Sequence, residues 1–130
     1  MQVLVDSSVW IDYFRGNGNT DKLDFLIDQN IIAVNDLILV ELIPFLKIKR
    51  QHKLITLLSS VTSLELNIIW EQITELQYQC LKKGINGVGI PDLIIAQNAI
   101  QNRCDLYSLD KHFELIKNVS KLTLAGNGVD

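Results

Sequence analysis

Val3-Leu4-Val5-Asp6-Ser7-Ser8-Val9-Trp10-Ile11-Asp12-Tyr13-Phe14-Arg15-Gly16 is the stretch whose reading decides the fold. A short apolar run ends abruptly in a carboxylate, then come two hydroxyls, then an apolar-periodic segment closed by Arg15-Gly16. Physically this is a buried strand that delivers Asp6 to a sheet edge, with a helix starting directly behind it. Trp10, Tyr13 and Phe14 fall at helical spacing and read as packing, and Gly16 suits a C-cap.

The same alternation runs through the rest of the chain. Asn17-Gly18-Asn19 reads as a turn, and Thr20 as the cap of a helix carrying Leu23, Leu26 and Ile27. Residues 31–34 predict a second strand, after which Asn35 or Asp36 caps a helix through Leu37, Ile38, Glu41, Leu42 and Phe45. Pro44 lies inside that pattern and is expected to end or kink the helix near Glu41. A fourth helix carries Leu54, Ile55, Leu57 and Leu58, residues 61–66 read as an edge strand, and residues 69–83 as a long amphipathic helix stopped by Gly84. Beyond the loop Asn86-Gly87-Val88-Gly89, Pro91 opens a helix to residue 102. Residues 106–109 predict a strand, 110–116 a short helix and 121–124 a last strand. This order implies an α/β fold of parallel β-α-β units, with a central, mostly parallel sheet covered by helices on both faces. Ligands in such sheets bind outside the carboxyl ends of the strands. No repeat, low-complexity tract or linker interrupts the 130 residues, so a single domain over 1–130 is expected.

Bulk properties narrow the class. A hydrophobic fraction of 48% and a mean hydropathy of +0.19 mean a generous core or apolar surface kept for a partner. Every apolar run is interrupted before the roughly 18 residues of a membrane span, and no basic segment leads an apolar one at the N-terminus. Cys80 and Cys104 lie in no C-x-x-C pattern and read as reduced, part-buried thiols, so a cytoplasmic protein is expected. The net charge of −3 argues against coating nucleic acid nonspecifically, although Lys47, Lys49, Arg50, His52 and Lys53, and separately Lys82 and Lys83, make local basic clusters. These clusters fit solvated helix faces as well as a substrate contact.

Asp6, Glu41, Asp92 and Asp110 all fall near strand or helix ends. Each has a plainer reading: Asp6 and Asp110 can cap helices, and Asp92 behind Pro91 can complement a helix dipole. Glu41 is harder to explain away. Its helical neighbours are Leu37, Ile38, Pro44 and Phe45, no Lys or Arg lies within one turn, and an unpaired carboxylate on an apolar face is costly. Two carboxylates about 4 Å apart repel by roughly 4 kcal/mol at an effective dielectric near 20, so a converging set calls for a cation. Oxygen-only ligands favour Mg²⁺ or Mn²⁺ over zinc, and His52 and His112 read as surface or capping side chains. Such a centre suits hydrolysis of phosphodiesters by a metal-activated water. Ser8 and Ser108, each two residues from an acid, are placed to orient carboxylates or water, and equally to serve as local helix-start and strand-end hydroxyls.

With these residues in place, the sequence resembles the PIN-domain family, and more narrowly the VapC-type ribonuclease toxins of toxin–antitoxin pairs. The resemblance rests on Leu4 to Gly16, on Ile90-Pro91-Asp92-Leu93-Ile94-Ile95-Ala96, on Leu106-Tyr107-Ser108-Leu109-Asp110-Lys111-His112-Phe113, and on Glu41-Leu42, in the family's order across nearly the whole chain. It implies a PIN-like three-layer fold and a Mg²⁺- or Mn²⁺-dependent endoribonuclease in which Asp6, Glu41, Asp92 and Asp110 match the acidic quartet. It also implies a homodimer, an RNA substrate, and inhibition by a VapB-type antitoxin that binds DNA through its own domain and buries a tail near the active site. Two departures stand out: Asn35-Asp36 occupies a place where members often carry a small hydroxyl residue, and Pro44 interrupts the helix after Glu41. Arg15 is placed to contact RNA phosphate or antitoxin, or simply to end its helix beside Gly16.

Two rival readings are open to test. An aspartyl-nucleophile phosphatase would carry a second Asp two places after Asp6, where this chain has Ser8. A catalytically silent PIN module that binds only RNA or a protein partner would be expected to lose an acid, and all four are present.

Overall fold

The computed structural model describes residues 2–16 and 20–126; the expected turn at Asn17-Gly18-Asn19 lies outside them. Strand β1 (Val3–Val5) leads into α1 (Ser7–Arg15) and α2 (Asp21–Asp28), then β2 (Ile32–Val34), α3 (Asp36–Ile48) and α4 (His52–Ser59). The chain continues through β3 (Thr62–Ser63), α5 (Trp70–Lys82), α6 (Ile90–Gln101), β4 (Asp105–Tyr107) and α7 (His112–Lys117). The strands pair in the order β3-β2-β1-β4, parallel throughout, with Val3 opposite Ile32 and Asp105 and with Val5 opposite Tyr107.

Strand side chains alternate between faces, and both faces here are apolar, as expected of a parallel sheet. Leu4, Ala33 and Leu106 face one core with Ile73 of α5, Leu93, Ile95 and Ala96 of α6, and Phe113 and Ile116 of α7. Val3, Val5, Ile32, Val34 and Tyr107 face the other with Trp10 of α1, Leu23 and Leu26 of α2, Leu42 and Leu46 of α3, and Leu58 of α4. The result is the expected three-layer arrangement, helices on both sides of a central sheet.

A ladder of buried amides joins α3 to α6. Asn35, fully buried, caps α3 by accepting a hydrogen bond from the Ile38 N–H (2.9 Å), and its Nδ2 donates to Asn98 Oδ1 (2.9 Å). Asn98 Nδ2 in turn donates to the Glu65 carbonyl (3.1 Å), and Gln97 bonds both backbone groups of Ile69 and the side chain of Gln72. Asn35 therefore resolves the choice of cap, and with its partner it fastens the β3–α5 connection to the sheet.

Several expectations need correcting. Pro44 does not end α3, which runs on to Ile48. The carbonyl left without a helical donor is that of Val40, and Val40 is 69% exposed, so water can take the donor's place. Thr20 stands at the N-cap of α2, but its hydroxyl donates to Asp24 Oδ2 (3.1 Å) and does not cap. The edge strand shrinks to two exposed residues. Residues 121–124 form no strand: Leu124 makes a single parallel bridge to Leu106, held by Leu106 N–H to the Thr123 carbonyl and Ala125 N–H to the Leu106 carbonyl, both 2.9 Å.

Candidate metal and catalytic site

Strands β2 and β3 lie on one side of β1 and β4 on the other, so the chain reverses its direction of winding between β1 and β4. That is the switch point where an open parallel sheet leaves a crevice beyond its carboxyl edge. Asp6 follows β1 directly, and Ser108 and Asp110 follow β4; the Asp6 N–H donates to the Tyr107 carbonyl at 2.9 Å and ties the two strand ends together.

Asp6 is 5% exposed and sits at the N-cap position of α1, yet its side chain makes no capping bond. Its Oδ2 accepts instead from Ser8 Oγ and Ser108 Oγ, each at 2.8 Å, and the two hydroxyls lie 3.2 Å apart. They are held in turn: Ser8 Oγ accepts from the Leu109 N–H and Ser108 Oγ from the Asp110 N–H, both at 3.0 Å. A buried carboxylate is thus oriented by hydroxyls whose own positions are fixed by the backbone of the neighbouring strand's exit loop.

Asp92 lies in the first turn of α6, half-buried, and reaches back to the Gly89 N–H as a capping-box acid would. Burial pushes its carboxyl above the ordinary carboxylate range, the charge of Asp110 adds to this, and the Gly89 N–H and His112 work against it. Asp110 accepts the His112 N–H on Oδ1 (2.9 Å), closing a tight turn before α7. His112 Nδ1 lies 3.4 Å from Asp92 Oδ2 and 3.4 Å from Asp110 Oδ1. Ligand atoms of Asp92, Asp110 and His112 all fall within 4.8 Å of one another.

Glu41 is placed differently from the sequence expectation. It sits on the solvent side of α3 beside exposed Val40 and Pro44, since the apolar stripe that packs inward is Ile38, Leu42 and Leu46. Its carboxyl is nonetheless raised, first by loss of water and then by the charges of Asp6 and Asp92, with the Ser7 hydroxyl acting the other way. Glu41 is therefore an electrostatic neighbour of Asp6 and Asp92 from the α3 side.

The structure thus brings Asp92 and Asp110 into one tight group and sets Asp6 and Glu41 against it as electrostatic neighbours. His112, read from sequence as a surface or capping side chain, belongs to that group. The signal for it was its position two residues after Asp110, where a turn closed on the Asp carboxylate turns both side chains toward one place. Arg15 is exposed at the end of α1, with its guanidinium 5.8 Å from the Phe45 ring centre, and Lys49 approaches the same ring at 6.0 Å. The basic residues 47, 49, 50, 52 and 53 are all exposed.

These donors fit a hard divalent cation. Carboxylates that raise one another's affinity for protons will do the same for a positive ion, and an oxygen-rich set suits a hard divalent one.

The profile of the PIN domain matches residues 3–119. No curated protein sequence matches the chain. Its fold is similar to that of VapBC2 from Rickettsia felis, solved bound to a DNA fragment from its promoter, with a TM-score of 0.76 at 22% identity over 96% of this chain and 98% of that one. FitAcB from Neisseria gonorrhoeae (TM-score 0.71, 16% identity, 96% and 97% covered) and DNA-bound VapBC from Salmonella typhimurium (TM-score 0.71, 14% identity, 96% and 97% covered) share it too.

Proposed function

This chain belongs to the PIN-domain family, and on that premise we propose that it is a Mg²⁺- or Mn²⁺-dependent endoribonuclease, the toxin of a VapBC-type toxin–antitoxin pair. What supports the reading is the tight group of Asp92, Asp110 and His112, with Asp6, clamped by two serine hydroxyls, and Glu41 as its electrostatic neighbours. Asp92, Asp110 and Asp6 would hold the ion, with Glu41 and His112 beside them. When bound, the ion supplies activation of a water and neutralisation of charge on the scissile phosphate.

The chain's own groups prepare that chemistry. Ser8 and Ser108 occupy Asp6 Oδ2 and fix the carboxylate's plane, so its other oxygen keeps one direction. Glu41, with its raised affinity for protons, is suited to take a proton from a water in the crevice. His112 Nδ1 stands between Asp92 and Asp110 and can share its proton with either.

Structural neighbours whose names are those of VapBC complexes support an antitoxin partner, and the chain's high apolar content suits both that partner and a homodimer. No helix among the described residues is long and apolar enough to cross a membrane, and an RNA substrate would be met in the cytoplasm, where we propose that the protein works. The test is cleavage of cellular RNA by purified protein with Mg²⁺ or Mn²⁺, with new RNA ends mapped. EDTA and Asp92→Asn are each expected to abolish cleavage. Undiminished cleavage by Asp92→Asn would overturn the assignment.

A further inference from the structure

A hollow of about 350 Å³ opens directly beside the acids. Ser108 and Asp110 form its border with the crevice, Lys111 and Lys117 stand on its α7 side with Glu114 between them, buried Phe113 lines it from within, and Ala125 stands on the opposite wall. A larger hollow of about 430 Å³ borders Arg103 and Asp105, at the start of β4, the far end of the sheet from the acids. Size alone therefore does not choose between them; continuity with the acids does.

From this geometry we infer that the hollow is a subsite for one RNA nucleotide next to the bond that is cut, taking its base and ribose while Lys111 and Lys117 meet the backbone phosphate. The inference rests on the ribonuclease reading and names where the substrate's flanking nucleotide lies. Three observations carry it. The volume is at the lower end of the range for small-molecule sites, enough for one nucleoside and too little for a folded element. Its walls set the apolar side chains of Leu109, Leu124 and Ala125 beside the polar groups of Ser108, Asp110, Lys111 and Lys117, so a base and ribose meet both apolar surface and hydrogen-bonding partners. Both lysines are exposed and form no ion pair among the described residues, so two free cations stand beside a centre whose acids would otherwise repel a polyanion.

The wall opposite α7 is also well fixed. The Ala125 N–H is bonded to Leu106, and Lys22 Nζ donates to the Gly126 carbonyl. Ala125 both lines the hollow and packs against the core that contains Tyr107, so a larger side chain there narrows the hollow while these backbone bonds remain available.

The experiment follows the amide resonances of Leu109, Lys111, Lys117 and Ala125 in the full chain titrated with AMP, GMP, CMP, UMP and, separately, inorganic phosphate. At least one nucleotide is expected to move all four saturably, whereas phosphate alone is expected to move those of Lys111 and Lys117 more weakly and to leave Leu109 and Ala125 in place. Ala125→Trp should abolish the response, and Lys117→Ala should weaken it about fivefold, the loss of one exposed charge contact. Lys117 is exposed, so that variant serves even if Ala125→Trp folds poorly. The inference is overturned if no nucleotide moves these amides, if phosphate alone moves them equally, or if neither variant changes the response.

Mapping of RNA ends separates this inference from the reading beneath it. If wild type cuts and Ala125→Trp loses the preference for the flanking nucleotide, both stand. If Ala125→Trp cuts the same sites at the same rate, the subsite falls and the ribonuclease reading survives. If Asp92→Asn cuts as well as wild type, the ribonuclease reading falls and takes the subsite with it.

Discussion

Replacing Asn98 by alanine removes two of the side-chain bonds that tie α6 to its neighbours, the one accepted from Asn35 Nδ2 and the one donated to the Glu65 carbonyl. Each such bond contributes about 1 kcal/mol net, and leaving the fully buried Asn35 amide without an acceptor adds about 1 kcal/mol more, for a loss of about 3 kcal/mol. With a urea slope of about 2 kcal/mol/M, the unfolding midpoint should fall by about 1.5 M. Asn35→Ala should cost a similar amount, because it loses the pair and the cap on the Ile38 N–H together. Since the two share one bond, the double variant should be about 1 kcal/mol less damaged than the sum. The pair also connects the helix of Glu41 to the helix of Asp92, so Mn²⁺ should raise the melting temperature of Asn98→Ala less than that of wild type. A midpoint change below about 0.5 M, or additivity within about 0.3 kcal/mol, would refute the claim that these amides are coupled supports of the fold.

The raised carboxyls of Glu41 and Asp92 fix the sign of a pH effect: the folded state binds more protons than the unfolded one, so their contribution to metal-free stability is greatest below the ordinary carboxylate range and is lost as pH rises through their raised values. Melting curves with EDTA should show this decline, and Glu41→Gln should flatten it. Ser8→Ala and Ser108→Ala each remove a 2.8 Å bond to Asp6 and should lower cleavage rates about 10- to 100-fold, while changing the melting temperature far less than Asn98→Ala. Pro44→Ala restores a donor for the Val40 carbonyl on the exposed side of α3 and should stabilise the fold by about 1 kcal/mol or more, read by urea unfolding.

What was legible in the chain was what depends on near neighbours. Val3 to Val5 followed by Asp6 and an amphipathic segment specify a strand, an edge and a helix within about a dozen residues, and α1 ends at Gly16 in the left-handed conformation that a C-cap needs. Glu41 was selected on the wrong geometry: periodicity counted Leu37 and Phe45 as a buried surround, whereas packing buries the Ile38-Leu42-Leu46 stripe and leaves Glu41 exposed, within electrostatic reach of Asp6 and Asp92. His112 escaped because its meeting with Asp92 depends on how α7 lies against α6, across 20 positions of sequence that no local pattern reports. The strand expected at 121–124 failed for a related reason, since an apolar alternation there is satisfied by one bridge and by packing of Leu122 into the core.

The two borders of the sheet deserve a last consequence. On the β3 side only Thr62 and Ser63 present backbone, both exposed, and on the β4 side the segment around Leu124 already takes up the bonding groups of Leu106. Among the described residues a second chain finds little strand to zip onto at either margin, the kind of short, covered edge that disfavours stacking and exchange of strands. Among the described residues the hydrogen-bonding lattice that holds Asp6 is formed between β1, β4 and the loop after β4, away from the β3 margin.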